Sequence, residues 1–125
     1  MTIHRAIISG VVLAGLSICG VAAHSAAAQS AAATSPRVIN ITAKRYAFSP
    51  NRITLKKGET VTLRLTSEDK VHGFYLKPLK IDEIIEPGKT TDVTVTPQQA
   101  GTFTIICDHF CGAGHGNMNM TVVVE

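Results

Sequence analysis

Thr60-Val61-Thr62-Leu63-Arg64-Leu65-Thr66, TVTLRLT, alternates strictly, with Val61, Leu63 and Leu65 on one side and Arg64 on the other. Successive side chains of an extended chain point to opposite faces, so this run predicts a strand with one buried and one wetted face. From Arg37 onward similar short runs recur between turn residues. Thr91 to Thr96 places Val93 and Val95 inward. Lys57-Gly58, Pro87-Gly88 and Ala100-Gly101 mark turns, and Pro87-Gly88 suits the middle of a type II turn, where glycine takes a positive φ. No segment carries helical periodicity. The strands predicted are Val38 to Ala43, Arg52 to Lys56, Thr60 to Thr66, Val71 to Leu76, Thr90 to Thr96, Gly101 to Cys107 and Met120 to Glu125. Short strands at such spacing are the pattern of an all-β sandwich or barrel.

Upstream the composition changes. Arg5 precedes an uncharged apolar run from Ala6 to Ala23, and Ala26-Ala27-Ala28 before Gln29 offers a cleavage site, so residues 1–28 read as an export signal. A retained membrane anchor is the rival reading, since eighteen mostly apolar residues barely span a bilayer. Bulky Ile18 before Cys19 argues against lipid attachment there, and Cys19 is expected to leave with the signal. Residues 29–36, rich in Ala, Ser and Thr and closed by Pro36, read as a flexible leader. Residues 37–125 then suffice for one small domain with a single core. Setting Arg5 aside leaves eleven Lys and Arg against nine Asp and Glu, without the concentrated basic face that nucleic acid requires.

Past residue 28, every histidine, cysteine and methionine is either His72 or lies between Cys107 and Met120. The stretch CDHFCGAGHGNM, Cys107 to Met118, holds most of them. Parity puts Cys107 on the side of Phe103 and Ile105, and His72 on the side of Phe74 and Leu76, so both stand on or beside a core face. Thiolate, imidazole and thioether are ligands that copper favours, whereas Mg²⁺ and Ca²⁺ prefer oxygen. Several sites fit these residues. Cys107 and Cys111 could form a disulfide in an oxidising compartment, which would leave His115 and Met118 without a role. Cys107, Cys111, His115 and His72 could close a tetrahedral zinc site, leaving Met118 idle. A mononuclear type 1 copper site needs only Cys111, His72, His115 and Met118, and makes Cys107 surplus. Two thiolates four residues apart can instead bridge a pair of copper ions, with one histidine on each.

The spacing Cys-x₃-Cys-x₃-His-x₂-Met, with a lone histidine upstream in DKVHGFYL, resembles the dinuclear CuA domain of cytochrome c oxidase subunit II and of nitrous oxide reductase. LKIDEIIEPGKT extends the similarity. The resemblance implies a cupredoxin-type Greek-key β-sandwich, for which the sequence offers about seven strands. It also implies bridging thiolates from Cys107 and Cys111, a ring nitrogen from each of His72 and His115, a weak axial sulfur from Met118, and the main-chain carbonyl of His109. Family members usually carry Glu or Trp at the position of His109. Any residue supplies a carbonyl, but an imidazole there could also compete for metal. Met120 is expected to pack beneath the site.

Subunit II also brings two membrane helices and an aromatic route for incoming electrons, whereas this sequence contains no Trp. The function expected is therefore that of a freestanding periplasmic or otherwise exported electron carrier, not itself an enzyme, with two copper ions per chain. Its expected partners are a c-type cytochrome or a terminal oxidase or reductase, met through an apolar rim of Phe110, Gly112 to Gly114 and the edge near Phe74. It is expected to be a monomer, with membrane contact only if the N-terminal segment is retained. The alternative is a periplasmic protein for copper storage, tolerance or delivery, with one copper in a type 1-like site.

Overall fold

Val61, Leu63 and Leu65 are wholly buried and Arg64 is exposed, as the alternation of TVTLRLT requires. The structure, a computed structural model, describes residues 34–125. The export segment and most of the leader, up to residue 33, lie outside the described residues. Among the described residues nine strands are present: β1 Arg37–Lys44, β2 Ala47–Ser49, β3 Arg52–Leu55, β4 Val61–Ser67, β5 His72–Leu76, β6 Ile81–Ile85, β7 Thr91–Val95, β8 Gly101–Ile106 and β9 Asn119–Val124. The seven predicted strands recur with each end within one residue, and β2 and β6 are additional. Short 3₁₀ turns occupy Lys77–Leu79 and His115–Asn117.

The strands form two sheets, ordered β2-β1-β4-β7 and β3-β9-β8-β5-β6. β1 and β4 are parallel, as are β3 and β9, so the chain crosses between sheets rather than running as a meander. The inner faces meet in one core that includes Ile41, Leu55, Leu63, Phe74, Ile105 and Val122. Burying one such side chain contributes about 1.5–3 kcal/mol. Phe48 of β2 packs edge-on against Phe74 of β5, with ring centroids 5.4 Å apart, which ties the short edge strand into the core. Outside, Arg64 of β4 faces Asp92 of β7 in register and makes two hydrogen bonds to its carboxylate, at 2.9 and 2.8 Å. The Pro87-Gly88 turn takes its expected form: φ is +78° at Gly88, and the Lys89 N–H donates to the Glu86 carbonyl at 3.2 Å.

Strand directions bring particular loops together. The ends of β1, β4, β6 and β8 and the starts of β2, β5, β7 and β9 share one end of the sandwich. His72 and the segment from Cys107 to Met118 are there. The start of β1 and the ends of β3, β5, β7 and β9 lie at the other, where the Lys57 N–H donates to the Glu125 carbonyl at 2.7 Å.

Candidate metal centre

β8 and β9 pair from Gly101↔Val124 to Ile106↔Asn119, and beyond that register the chain opens into the loop that carries most of the donors. The Cys107 N–H donates to the Met118 carbonyl at 3.0 Å, closing the loop at its base. Two further hydrogen bonds, His115 N–H to the Gly112 carbonyl and Met118 N–H to the His115 carbonyl, both 3.1 Å, fold its second half into a tight turn. On the neighbouring strand, β5 begins at His72, whose ring is completely buried.

Inside this frame the sulfurs of Cys107 and Cys111 stand 3.8 Å apart as free, buried thiols. Each has one imidazole beside it. His72 Nδ1 is 3.9 Å from the Cys107 sulfur, and His115 Nδ1 is 3.9 Å from the Cys111 sulfur. The Met118 sulfur lies 3.9 Å from Cys111, and the His109 carbonyl oxygen accepts from the Cys107 thiol at 3.2 Å. The donor atoms of His72, Cys107 and Cys111 all fall within 4.8 Å of one another, while His115 stands outside that group, beside Cys111. Of the residues singled out by sequence, five thus present side-chain donors to one place. The sixth, His109, presents its carbonyl, and the residue itself is exposed. Met120 is buried in the core. Phe74, on the same face as His72, lies wholly inside the core and contributes no ring to the surface.

The structure also reveals residues that the pattern of ligand types did not select. Asp69 is one: its carboxylate Oδ1 lies 2.8 Å from His72 Nε2, leaving Nδ1 to face the cysteines. Main-chain N–H groups of Arg45, at 2.9 Å, and Lys70, at 2.7 Å, donate to the same carboxylate, and so does Arg45 Nε, at 3.2 Å. Burial works against the charge of Asp69. The hydrogen bonds from Arg45, His72 and Lys70 outweigh it and hold the carboxyl well below the usual carboxylate range. A carboxylate behind a ligating imidazole fixes which nitrogen points at a metal. The signal was available, since Asp69 stands three residues before His72 in DKVH.

Gly73 and Tyr46 complete the surroundings. The Gly73 N–H donates to the Cys107 sulfur at 3.3 Å. The Tyr46 ring lies against the glycine tract of the loop, so that a β-carbon on Gly114 would meet its Cγ at 2.7 Å. Burial, then hydrogen bonding to Cys107, pushes the Cys111 thiol above its ordinary pKa. Two neighbouring buried thiols ionise together only when a cation supplies the compensating charge, which is what a bound metal does. With two sulfurs, two imidazoles, a thioether and no carboxylate among the converging donors, the residues fit a soft, copper-like ion and not a hard one.

Residues 15–124 match the cupredoxin-like domain family. The chain is 33% identical over 87 residues to cytochrome c oxidase subunit 2 of Thermus thermophilus, an alignment covering 70% of this chain and 64% of that one. It is 38% identical over 91 residues to nitrous-oxide reductase of Cupriavidus necator, covering 70% of this chain and 14% of the reductase. The chain thus spans less than two thirds of the length of either relative. Among solved structures, the periplasmic domain of subunit II of cytochrome oxidase from Bradyrhizobium japonicum superimposes with a TM-score of 0.66 at 17% identity, over 71% of this chain and 83% of that domain. The sandwich, the loop geometry and a family match that runs across both sheets agree, and the protein belongs to the cupredoxin-like family.

Proposed function

We propose that the chain is an exported one-electron carrier whose centre is a pair of copper ions shared by the thiolates of Cys107 and Cys111. His72 and His115 would hold the metal through Nδ1, with the Met118 sulfur and the His109 carbonyl completing the donor set. The observation that carries this reading is the placement of the two imidazoles at separate sulfurs, each 3.9 Å from its own cysteine. A single copper using Cys111, His72, His115 and Met118 would leave Cys107, whose sulfur is 3.9 Å from His72 Nδ1, without a role. Copper in such a set supplies one-electron redox chemistry, spread over both metals so that bond lengths change little.

The chain's own residues make that chemistry fast and contained. Asp69 holds the His72 ring in one orientation, and burial of both thiols keeps bulk water from the centre. The backbone hydrogen bond from Cys107 to Met118 closes the loop at its base, so its shape is set by the chain as well as by any metal it holds. With every position filled by protein donors no site is left for a substrate, and the domain is no enzyme on its own. The relatives named above act in an oxidase and a reductase, which supports a c-type cytochrome or a terminal oxidase or reductase as the exchange partner.

Copper loading of the purified chain tests the reading. The result expected is two coppers per chain and an EPR signal split by two equivalent nuclei, both lost in Cys107→Ser. One copper with a mononuclear spectrum would overturn it in favour of storage or delivery. Mass spectrometry of the exported protein, with a start near Gln29, tests the export signal.

A further inference from the structure

The centre is assembled from two segments, Asp69 to Gly73 on one side and Cys107 to Met118 on the other. At Cys107 the two meet directly, since the Gly73 N–H donates to its sulfur at 3.3 Å. Cys111 and His115 lie further along the loop, separated by Gly112, Ala113 and Gly114. The backbone between them meets Tyr46. The three atoms nearest to a β-carbon built on Gly112 all belong to that residue, the closest being Oη at 2.5 Å, and the same is true at Gly114, where Cδ2 is closest at 2.5 Å. One ring thus covers the main chain between the second cysteine and the second histidine, and it can do so only because both positions lack a β-carbon.

Tyr46 and its neighbour Arg45 are the two residues between β1 and β2, with Lys44 paired to Ala47 across the turn. Arg45 reaches the other segment. Its main-chain N–H and its Nε both donate to Asp69 Oδ2, at 2.9 and 3.2 Å, while Oδ1 of the same carboxylate lies 2.8 Å from His72 Nε2. The base of this hairpin is fixed to the strand that carries His72, through Phe48 against Phe74. A two-residue turn therefore grips both halves of the donor set.

We propose that the β1–β2 turn is a clasp that sets the position of Cys111 and His115 relative to Cys107 and His72, with Tyr46 as the positioning residue and Arg45 as its footing. Neither supplies a donor. Tyr46 acts through the main chain of Gly112 and Gly114, and Arg45 through Asp69. Five of the six nearest atoms at the two glycines are ring carbons, so the ring and not the hydroxyl is what the clasp requires. Support of this kind raises metal affinity by keeping donors in position. The proposal rests on the copper-carrier reading for the identity of the metal, whereas the placement belongs to the chain and is measured without metal.

The test compares wild type with Tyr46→Ala, Tyr46→Phe and Arg45→Ala. Tyr46 is 41% exposed, so its truncation opens no cavity in the core. ¹⁵N relaxation of the reduced, metal-free chain reads the placement. Order parameters at Gly112, Ala113 and Gly114 should stay above about 0.6 in wild type and Tyr46→Phe and fall below it in Tyr46→Ala, with Gly73 unchanged in all. Arg45→Ala, which keeps the main-chain bond to Asp69 and loses the one from Nε, should lower the same loop values by less. Competition for Cu(I) with bathocuproine disulfonate reads the consequence: Tyr46→Ala should weaken copper binding by about threefold or more, and Tyr46→Phe by less. A residue that served stability alone would lower the melting temperature and move neither readout. The proposal is overturned by loop order that survives Tyr46→Ala, by a wild-type loop already below the threshold, by Tyr46→Phe behaving as Tyr46→Ala, by Arg45→Ala leaving the loop unchanged, or by a smaller loss of copper affinity in Tyr46→Ala. Copper count and EPR read the dinuclear assignment separately, so a chain whose loop is held by Tyr46 but which takes one copper fails that reading and not this one.

Discussion

Gly73 and His109 approach so closely that a β-carbon on residue 73 would lie 2.6 Å from the main-chain nitrogen of His109. The Asp108 carboxylate lies closer still and could turn away, but the nitrogen of Asp108, at 2.8 Å, could not, so backbone as well as a side chain bars the space. Strand β5 therefore carries the metal loop on its own main chain, next to the His72 ring. Gly73→Ala is expected to destabilise the fold by about 1–3 kcal/mol through overpacking. It should also weaken copper binding by about tenfold or more, because the Cys107 end of the loop must lift away from His72. Urea denaturation of the metal-free chain and competition titration of copper measure the two effects separately.

Tyr46 and Gly114 form a second such pair, and here the obstacle is a side chain. Gly114→Ala alone should destabilise the metal-free chain by about 1–3 kcal/mol. Combined with Tyr46→Ala, the same change should cost markedly less, because the ring it strikes is gone. A double-mutant cycle reads the coupling, and strictly additive effects would show that the ring does not confine the loop.

The two buried methionines separate a ligand from a packing residue. Met118→Leu should alter the optical spectrum and reduction potential of the loaded chain, because it removes a sulfur 3.9 Å from Cys111. Met120→Leu should leave both unchanged and shift stability by less than about 1.5 kcal/mol, as a volume-conserving swap in a core does. Equal spectral effects from the two variants would argue against Met118 as a copper ligand.

Asp69 gives a pH dependence with a definite sign. Its folded-state pKa is depressed, so its contribution to stability is complete above the unfolded value of about 3.9 and is lost as pH falls through the folded one. Asp69→Asn in the metal-free chain should therefore be less stable than wild type at neutral pH. The gap between the two should close progressively below about pH 4. Chemical denaturation from pH 7 down to 3 measures it.

The thiols carry their own liability. At 3.8 Å the sulfurs need approach by less than 2 Å to reach a disulfide length of about 2.05 Å. The metal-free chain is expected to oxidise in air to a form lighter by two hydrogens that binds no copper until a dithiol restores it. Mass spectrometry before and after reduction follows the change.

The sandwich was legible because its central strands obey a two-residue period, as Val61, Leu63 and Leu65 do, and that period survives without any knowledge of neighbours. β2 and β6 were hidden for different reasons. Ala47–Ser49 is too short to establish a period, and it joins the sheet through pairing with β1 and the packing of Phe48. Ile81–Ile85 reads IDEII, and with Ile84 turned outward at the sheet edge its inward residues Ile81 and Ile85 show no clean alternation. The cysteines, histidines and Met118 that converge at this end could be picked out from residue type and spacing, and His109 only through the family resemblance. Asp69, Gly73 and Tyr46 could not, because support is spatial: a carboxylate, a missing β-carbon and a ring matter through what they touch.

The hydrogen bond from Cys107 to Met118 joins the first and last donors of the loop through the protein's own backbone. The two ends of the cradle are thus fixed to each other by main chain, and the same stiffness that sets the donors in place denies them the freedom to follow a change in the charge they share.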